Sequence, residues 1–269
     1  MKLLVTNDDG IDSVFFHKLV FALQAARHQL FIAVPAEEQS WSGASKTRAR
    51  PVKTTLVDHG FGCPTWTVDG TPSDCVNIAL AHLLPKQPGA AGPEQTTCVE
   101  GVVSGINIGM NGSLGFILAS GTIAGAWEGA LHGLPAAAFS QDVSPEAYAY
   151  LKEHGSKPDA LTLDTLRHSA DRAAALVGEW FPRMSRNSFT VHNVNFPLPC
   201  TPATELRRTV PAQVHVPGIF GPAADDGSHR LIWGHIVDVS PPTPLTDVQC
   251  LKQGHISHTI LDYRKLGHA

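Results

Sequence analysis

The sequence KLLVTNDDGI, residues 2–11, decides the fold class of this chain. Its first five residues predict a buried strand, and two adjacent acids, Asp8 and Asp9, follow closely. Residues 14–26 then carry apolar side chains at helical spacing, and residues 30–34 form a second apolar run. A strand, a helix and another strand in this order indicate a β-α-β unit, and therefore an α/β protein with a parallel sheet.

The rest of the chain continues this alternation as far as residue 197. Thr71 and Pro72 form a helix-start signal, in which Thr71 caps and Asp74 returns a bond to the cap. Repeated prolines and short strand-like pieces then replace the helical patterns, so we expect a core over residues 1–197 and an extension over residues 198–269. We predict further strands at residues 99–103, 136–139 and 189–196, and helices over residues 71–83, from residue 120, and over 161–181.

Charge is unevenly distributed along the chain. The net charge is −4, only 16% of the residues are charged, and residues 101–127 contain no charged residue. A stretch of this length could cross a bilayer. It contains seven glycines among polar hydroxyls and amides, however, and its apolar runs are short. We interpret it as a buried interior segment, which excludes a membrane protein.

The composition of the chain indicates its cellular compartment and which partners are not expected. Five widely spaced cysteines without a CxxC pair argue against a disulfide framework or a zinc site, and they fit a reducing compartment. The start of the chain shows no signal peptide, so we expect a cytoplasmic protein. No polybasic patch is present, so neither nucleic acid nor an anionic membrane is expected as a partner.

The acidic pair after the first strand is the strongest functional signal. Ligands of open α/β sheets bind beyond the carboxyl ends of the strands, where Asp8 and Asp9 are expected. Adjacent carboxylates repel each other unless a cation or hydrogen-bond donors offset the repulsion, and a hard ion such as Mg²⁺ prefers oxygen ligands. A turn that caps the next helix is the alternative explanation.

Three further segments fall at the same predicted edge. The loop after the second strand contains Ser40, and the segment after residue 103 places Asn107 just beyond a predicted strand end. Residues 120–122, Ser-Gly-Thr, open a helix whose free N–H groups suit a phosphate. Each segment alone also fits an ordinary turn or a packing role. No P-loop, GxGxxG, GxSxG or HExxH motif supports another enzyme class.

Together these segments resemble the SurE (survival protein E) nucleotidase family. The resemblance rests on TNDDGI at residues 6–11, GTPSDCV at residues 70–76 and SGIN at residues 104–107, and it covers roughly the first 140 residues. It implies a Rossmann-like three-layer sandwich and a C-terminal β-rich extension with oligomerisation hairpins and a strand that returns to the core. It also implies a homodimer or homotetramer that hydrolyses nucleoside monophosphates with one divalent cation per subunit, Mg²⁺ or Mn²⁺.

The resemblance also assigns roles to residues. The metal ligands implied by the family pattern are Asp8, Asp9, Ser40 and Asn107, and the two aspartates are the catalytic pair. The phosphate-binding set that we expect beside them is Asn7, Ser104, Gly105, Ser120, Gly121 and Thr122. An activated water and direct attack by an aspartate are both compatible with these residues, and we favour water, because a carboxylate committed to a metal is a poorer nucleophile.

The chain departs from the family pattern at a few positions. Ile108 stands where the family usually has Arg. In the family a His commonly follows the loop that contains the serine ligand, and here the nearest basic residue is Lys46. These changes leave a broad phosphatase or polyphosphatase, and a non-catalytic nucleotide-binding protein, as alternatives. Trp41 and Trp127 could stack on a base, but for both we expect core packing.

Overall fold

The structure is a computed structural model that describes residues 1–85, 98–216, 218–232 and 236–266. The strands are β1 (Lys2–Thr6), β2 (Gln29–Pro35), β3 (Thr54–Val57), β4 (Thr65–Val68), β5 (Gly101–Ile108), β6 (Ala136–Gln141), β7 (Thr190–Phe196), β8 (Leu206–Arg208), β9 (Val214–His215), β10 (Val237–Asp238) and β11 (Ile256–Asp262). The helices are α1 (Val14–Ala25), α2 (Pro72–Ile78), α3 (Ser113–Ala119), α4 (Gly121–Leu131), α5 (Pro145–Glu153), α6 (Ala160–Trp180) and α7 (Asp247–Lys252).

Nine strands form one sheet in the order β3-β4-β2-β1-β5-β6-β7-β11-β8. The strands from β4 to β7 in this order are all parallel, while β3 and β11 run antiparallel to β4 and β7. Thus β1 lies in the centre, with Val5 paired to Ile32 of β2 and to Val103 of β5. The residues that follow β1 therefore emerge at the middle of the carboxyl edge, where open sheets bind ligands.

Helices cover both faces of this sheet. Leu3 and Val5 face one core, which includes side chains of α1 and α6, whereas Leu4 faces a second core built with α2. All three side chains are fully buried. Burial on both faces explains why β1 reads as a continuous apolar run rather than an alternating one. The predicted Rossmann-like, mostly parallel three-layer sandwich is confirmed.

Helix α4 packs unusually close to the sheet. A Cβ atom at Gly125 would lie 2.8 Å from the Thr6 methyl carbon, and one at Gly129 would lie 2.5 Å from Cβ of Val102. Both distances are shorter than a carbon–carbon contact allows, so only glycine fits.

The uncharged residues 101–127 form β5, α3 and most of α4. Within the described residues no single helix is long and apolar enough to cross a membrane, and only the pair α3–α4, bent by 70°, reaches that length and composition.

Several boundaries differ from the sequence predictions. The fifth strand continues to Ile108, with a register irregularity between Ser104 and Asn107, because β6 remains beside it beyond Val103. The helix that starts at Thr71 has the predicted capping box, but it changes to a π-helical turn after Ile78. Helices α3, α5 and α7 and strands β3 and β4 were not predicted. The sequence also predicts a loop rich in proline and glycine over residues 85–93 and a strand-like piece at 231–233, but residues 86–93 and 233 lie outside the described residues.

Residues after 197 contribute to the main sheet as well as to the surface. Strand β11 pairs with β7, and β8 pairs with β11 at the sheet edge. A separate two-stranded sheet, β9 with β10, lies in the extension. Asp247 of α7 is fully buried and accepts hydrogen bonds from the backbone N–H groups of Ser113 and Ala212, both at 2.9 Å. The extension therefore fixes the start of α3 directly.

Candidate active site at the carboxyl edge of the sheet

The acidic pair lies at the carboxyl end of β1. Asp8 is buried with 3% of its surface exposed, and its Oδ1 accepts a hydrogen bond from the Thr122 hydroxyl at 2.5 Å. Asp9 is partly exposed, and its Oδ2 accepts a hydrogen bond from the backbone N–H of Ile108 at 3.3 Å. The turn that follows is closed by the Asn7 side chain, which donates to the Gly10 carbonyl at 2.8 Å. The two carboxylates are thus held by different elements, α4 and β5.

The surroundings of the two carboxyl groups disfavour their negative charge. Burial raises the pKa of Asp8 to about 6, although the hydrogen bond from Thr122 opposes the shift. Burial and the neighbouring charge of Asp8 raise the pKa of Asp9 well above its usual value. In the described part of the chain, every charged neighbour that shifts these two pKa values is acidic, and Glu38 acts on both. A cation would offset this concentration of negative charge.

The serine loop, defined here as residues 36–47, closes one side of the pair. The Gln39 N–H donates to the carbonyl of Asp8 at 2.8 Å, and the Gly43 N–H donates to the carbonyl of Ala119 at 2.9 Å. Ser40, one of the predicted metal ligands, is exposed, and its hydroxyl donates to Glu38 at 2.6 Å. The loop therefore spans from β1 to the junction of α3 and α4.

Ser42, which sequence reasoning did not single out, lies near the buried carboxylate of Asp8. A Cβ atom at Gly121 would lie 2.9 Å from Oδ2 of Asp8 and 3.1 Å from the Ser42 hydroxyl oxygen, so both oxygens flank the same point. The Ser42 hydroxyl is buried and has no hydrogen-bond partner among the described residues. Composition and spacing did not indicate Ser42, because both serines lie in the same polar loop and the family pattern points to Ser40.

The start of α4 provides fewer free donors than its sequence indicates. The Ser120 hydroxyl caps the helix by accepting from the Ile123 N–H at 3.1 Å, and the Thr122 hydroxyl is used by Asp8. Gly121 lies between them, directly against Asp8. An anion at this helix start would therefore meet backbone N–H groups rather than the two hydroxyls.

The end of β5 brings the predicted SGIN segment beside the acidic pair. The Asn107 side-chain amide donates to the carbonyls of Ile108 and Gly109 at 3.2 and 2.7 Å, which leaves its oxygen as a possible ligand atom. Ser104 lies under α4, fully buried, and its hydroxyl has no partner within the described residues. Gly105 is required by close packing, since a Cβ there would lie 2.2 Å from the Phe139 carbonyl oxygen.

Two contacts anchor the far end of the serine loop. The Thr47 N–H donates to the Asp74 carboxylate, the residue that also completes the capping box of α2. Lys46 forms an ion pair with Glu128 of α4, whose side chain is only 4% exposed. Burial alone would raise the pKa of Glu128, but hydrogen bonds from His132, Lys46 and Asn77 hold it at about 2. The positive charge of Lys46 is therefore engaged by a buried carboxylate.

The two tryptophans considered at the sequence level have different environments. Trp127 is stacked on Tyr263, with ring centroids 3.5 Å apart, as expected for core packing. Trp41 is 40% exposed, so the expectation of core packing is wrong for this residue. Its ring meets the ring of Phe116 on α3 edge to face, with centroids 5.5 Å apart.

Other features of the described residues offer no competing site. They contain no group of three or more His, Cys, Asp or Glu side chains that could hold a metal, so any ion here would also need neutral oxygen ligands. A cavity of about 260 Å³ lies between α3 and the extension, against Leu114, Pro211 and Pro244. It is lined by no ionisable side chain, so we assign the chemistry to the acidic pair.

A mostly parallel sheet flanked by helices, with paired carboxylates at the end of its central strand, defines an α/β protein of Rossmann-like type with an acidic, oxygen-rich site. Residues 3–216 match the family model described as Survival protein SurE. The protein named 5'-nucleotidase SurE from Solidesulfovibrio magneticus is 34% identical over 268 residues, which cover 98% of this chain and 92% of that protein. Its namesake from Desulforudis audaxviator is 32% identical over 275 residues, with coverage of 99% and 95%.

A solved structure agrees with this comparison at the level of the fold. The crystal structure of a SurE protein from Aquifex aeolicus matches with a TM-score of 0.67 at 23% sequence identity, covering 99% of this chain and 97% of that one. The chain belongs to the SurE family, and the resemblance drawn from its motifs is confirmed.

Proposed function

We propose that this protein is a divalent-metal-dependent phosphatase that hydrolyses nucleoside monophosphates to nucleoside and phosphate at Asp8 and Asp9. That it is a phosphoric monoester hydrolase follows from its family and its curated relatives. One observation supports the finer statement most strongly. Two adjacent carboxylates lie at the end of the central strand, and the charged groups that shift their pKa values in the described structure are all acidic.

The donor set suits a hard cation such as Mg²⁺ or Mn²⁺, which prefers oxygen ligands. Asp8 and Asp9 would provide the charged ligands and Asn107 a neutral amide oxygen. A serine of the loop would complete the set: Ser40 is the residue that the family pattern implies, and the partnerless hydroxyl of Ser42 is the one that lies beside Asp8. When bound, such an ion would polarise the phosphoryl oxygens and offset the charge that develops on them.

The chain's own residues would orient the carboxylates and the phosphate. Thr122 holds one oxygen of Asp8, and the Ile108 N–H holds one oxygen of Asp9. Backbone N–H groups at the start of α4, at Gly121 and Thr122, would donate to the phosphate. Asn7, Ser104 and Gly105 would support the site from beneath, because Asn7 closes the turn after β1 and Ser104 is buried under α4.

We assign the attack to water rather than to an aspartate, since Asp8 and Asp9 each have an oxygen engaged by a protein donor. The water oxygen would form the new bond to phosphorus as the bond to the alcohol oxygen breaks. One proton of the water would end on the departing alcohol oxygen, so the products would be hydrogen phosphate and the neutral alcohol, the nucleoside.

The proposal is tested by measuring phosphate release with Mg²⁺, with Mn²⁺ and with a chelator. The substrates are nucleoside 5'- and 3'-monophosphates, a sugar phosphate and short polyphosphate. Asp8→Asn keeps the size of the side chain and removes its charge, so we expect a folded protein that has lost at least 100-fold in kcat, by analogy with the loss of an electrostatic group at other active sites. Asp12→Asn is the matched control, because the Asp12 side chain is 92% exposed, and we expect it to retain activity.

The outcomes separate the alternatives. Release that survives the chelator, or full activity in Asp8→Asn, would contradict the proposal. Turnover of sugar phosphates alone would contradict the nucleotide assignment, and preferred turnover of polyphosphate would favour a polyphosphatase. Nucleotide binding without release in either metal would favour a non-catalytic binding protein, the alternative motivated by Ile108 in place of the family's usual Arg.

A further inference from the structure

Two histidines on neighbouring strands form a pair that the proposed function does not use. His192 lies on β7 and His258 on β11, and both are partly exposed. In the antiparallel pairing His258 is opposite Val194, two residues from His192, so the two histidines are diagonal neighbours on one face of the sheet. His192 Nδ1 lies 3.1 Å from His258 Nε2. The pair therefore joins β7 to the strand by which the C-terminal extension returns to the sheet.

The separation of these two nitrogens suits bidentate binding of a transition-metal ion. Imidazole nitrogens bind such ions at about 2.0 to 2.1 Å. With bonds of that length, nitrogens 3.1 Å apart enclose an angle of about 95° to 102° at the ion. This angle lies between the ~90° of a square-planar site and the ~109° of a tetrahedral one. Zn²⁺, Cu²⁺ and Ni²⁺ adopt these geometries and bind imidazole well, whereas Mg²⁺ prefers oxygen ligands.

Both rings have a lone pair available for a metal near neutral pH. Burial, together with the charge of Arg208, lowers the pKa of His192 to about 4 and that of His258 to about 3. A neutral histidine carries a single N–H group, on either ring nitrogen. With these groups on His192 Nε2 and His258 Nδ1, the two facing nitrogens are both free to bind. Metal binding therefore requires a change of tautomer but no loss of a proton.

The surroundings hold the pair in place and also limit its affinity. The ring of Trp180, at the end of α6, is stacked on His258 with centroids 4.3 Å apart and planes at 17°, and its centroid is 4.8 Å from that of His192. Rings that are already restricted lose little rotamer entropy when an ion binds. Arg208 of β8 is the residue paired with His258 in the sheet, and its positive charge opposes a cation. We therefore expect moderate affinity rather than very tight binding.

We propose that His192 and His258 form a second metal site, which binds one divalent transition-metal ion, Zn²⁺, Cu²⁺ or Ni²⁺, with water in the remaining positions. Among the described residues no group of three or more His, Cys, Asp or Glu could hold a metal, so the protein provides two ligands. Strands β5 and β6 lie between β1 and β7, which puts the pair about 14 Å across the sheet from the strand before Asp8. A bound ion cross-links β7 to β11 and so stabilises the attachment of the extension.

The first experiment titrates Cu²⁺ into the protein, with Trp180 as the reporter. Cu²⁺ quenches the fluorescence of a nearby indole, and Trp180→Phe identifies which part of the emission of the five tryptophans comes from this residue. We expect saturable quenching of that part with a Kd below about 0.1 mM, and an electron paramagnetic resonance spectrum with coupling to two nitrogens. A Kd above that value, or a spectrum from oxygen ligands alone, would overturn the proposal.

The second experiment measures Zn²⁺ binding by calorimetry. All proteins carry Asp8→Asn, so that the acidic pair lacks one of its charges. We expect His192→Gln and His258→Gln each to lose at least 10-fold in affinity, since even the loss of a residue behind a metal ligand costs this much. Arg208→Gln removes the opposing charge and should bind Zn²⁺ several-fold more tightly. Unchanged affinity in both histidine variants would overturn the proposal.

A matched control and a stability measurement complete the test. His168→Gln replaces a histidine elsewhere on α6, beside Arg167, and should leave Zn²⁺ affinity unchanged. Because the ion binds the folded pair, Zn²⁺ should raise the urea midpoint of the Asp8→Asn protein but not that of the same protein with both histidines replaced by Gln. An equal rise in the two proteins would contradict the cross-link between β7 and β11.

Discussion

Gly121 is the position at which one added methyl group tests the geometry of the site. The residue opens α4, and an ideal Cβ there would lie 2.8 Å from Cβ of Asp8 and 2.9 Å from its Oδ2. Carbon atoms in contact prefer about 3.5 to 4.0 Å, so the methyl group of Gly121→Ala would overlap Asp8 by about 0.7 Å or more. Neither Asp8 nor the helix can absorb this freely, because Thr122 holds the carboxylate and Gly125 holds α4 against β1.

The magnitudes indicate a folded but impaired protein. Overpacking of this kind costs about 1 to 3 kcal/mol, and alanine in place of glycine in a helix returns up to about 1 kcal/mol. A net loss of about 0 to 2 kcal/mol leaves most of the free energy of unfolding of a normal domain. A displacement of catalytic groups by about 1 Å can lower the rate about 100-fold. We therefore expect a large loss of kcat with a small loss of stability.

The assay combines phosphate release with urea unfolding for Gly121→Ala and for Gly115→Ala. Gly115 lies in α3 with no atom within 4 Å of its ideal Cβ. Gly115→Ala should therefore gain about 0.5 to 1 kcal/mol and keep its activity. Wild-type activity in Gly121→Ala would refute the reasoning, since it would mean that the position of Asp8 is not restricted by α4.

Two further predictions concern groups outside the acidic pair. His192 and His258 lie side by side with nitrogens 3.1 Å apart, and burial with the charge of Arg208 lowers their pKa values to about 4 and about 3. Both histidines bind protons in the unfolded chain as the pH falls below about 6.5, while the folded pair stays largely neutral. This difference should lower the free energy of unfolding by roughly 5 kcal/mol between pH 6.5 and 4. Urea unfolding should show a smaller fall in the double variant to Gln, and equal slopes would contradict this. Lys46→Met removes a partner of the buried Glu128 carboxylate, so it should lower the free energy of unfolding by about 1 to 3 kcal/mol. In a double-mutant cycle, Lys46→Met should cost less when Glu128→Gln is already present. Additive losses would show that the two side chains are not coupled.

The parts of the fold that the sequence predicted share a local cause. Strand β1, helix α1 and the capping box at Thr71 follow from apolar periodicity and from hydrogen bonds between residues three positions apart. The capping box also has a long-range role that the pattern does not reveal, because Asp74 receives the Thr47 N–H from the serine loop.

The errors share a different cause, which is pairing between distant segments. Strand β5 continues to Ile108 because β6 lies beside it, and the local sequence, rich in glycine and asparagine, indicates a turn instead. Helix α3 begins at Ser113, in a left-handed conformation, where the buried Asp247 accepts its N–H from 134 residues away. Neither partner could be identified from the local pattern.

By itself, the sequence determined the sheet class, the position of Asp8 and Asp9 after the central strand, and membership of the family, because these depend on periodicity and short motifs. Only the tertiary structure decided which neighbours surround the pair. It placed Ser42 near Asp8, engaged the hydroxyls of Ser120 and Thr122 within the protein, and left Trp41 partly exposed. The physical reason is that contacts between separate loops depend on how closely α4 approaches the sheet, and that distance is set by three-dimensional packing.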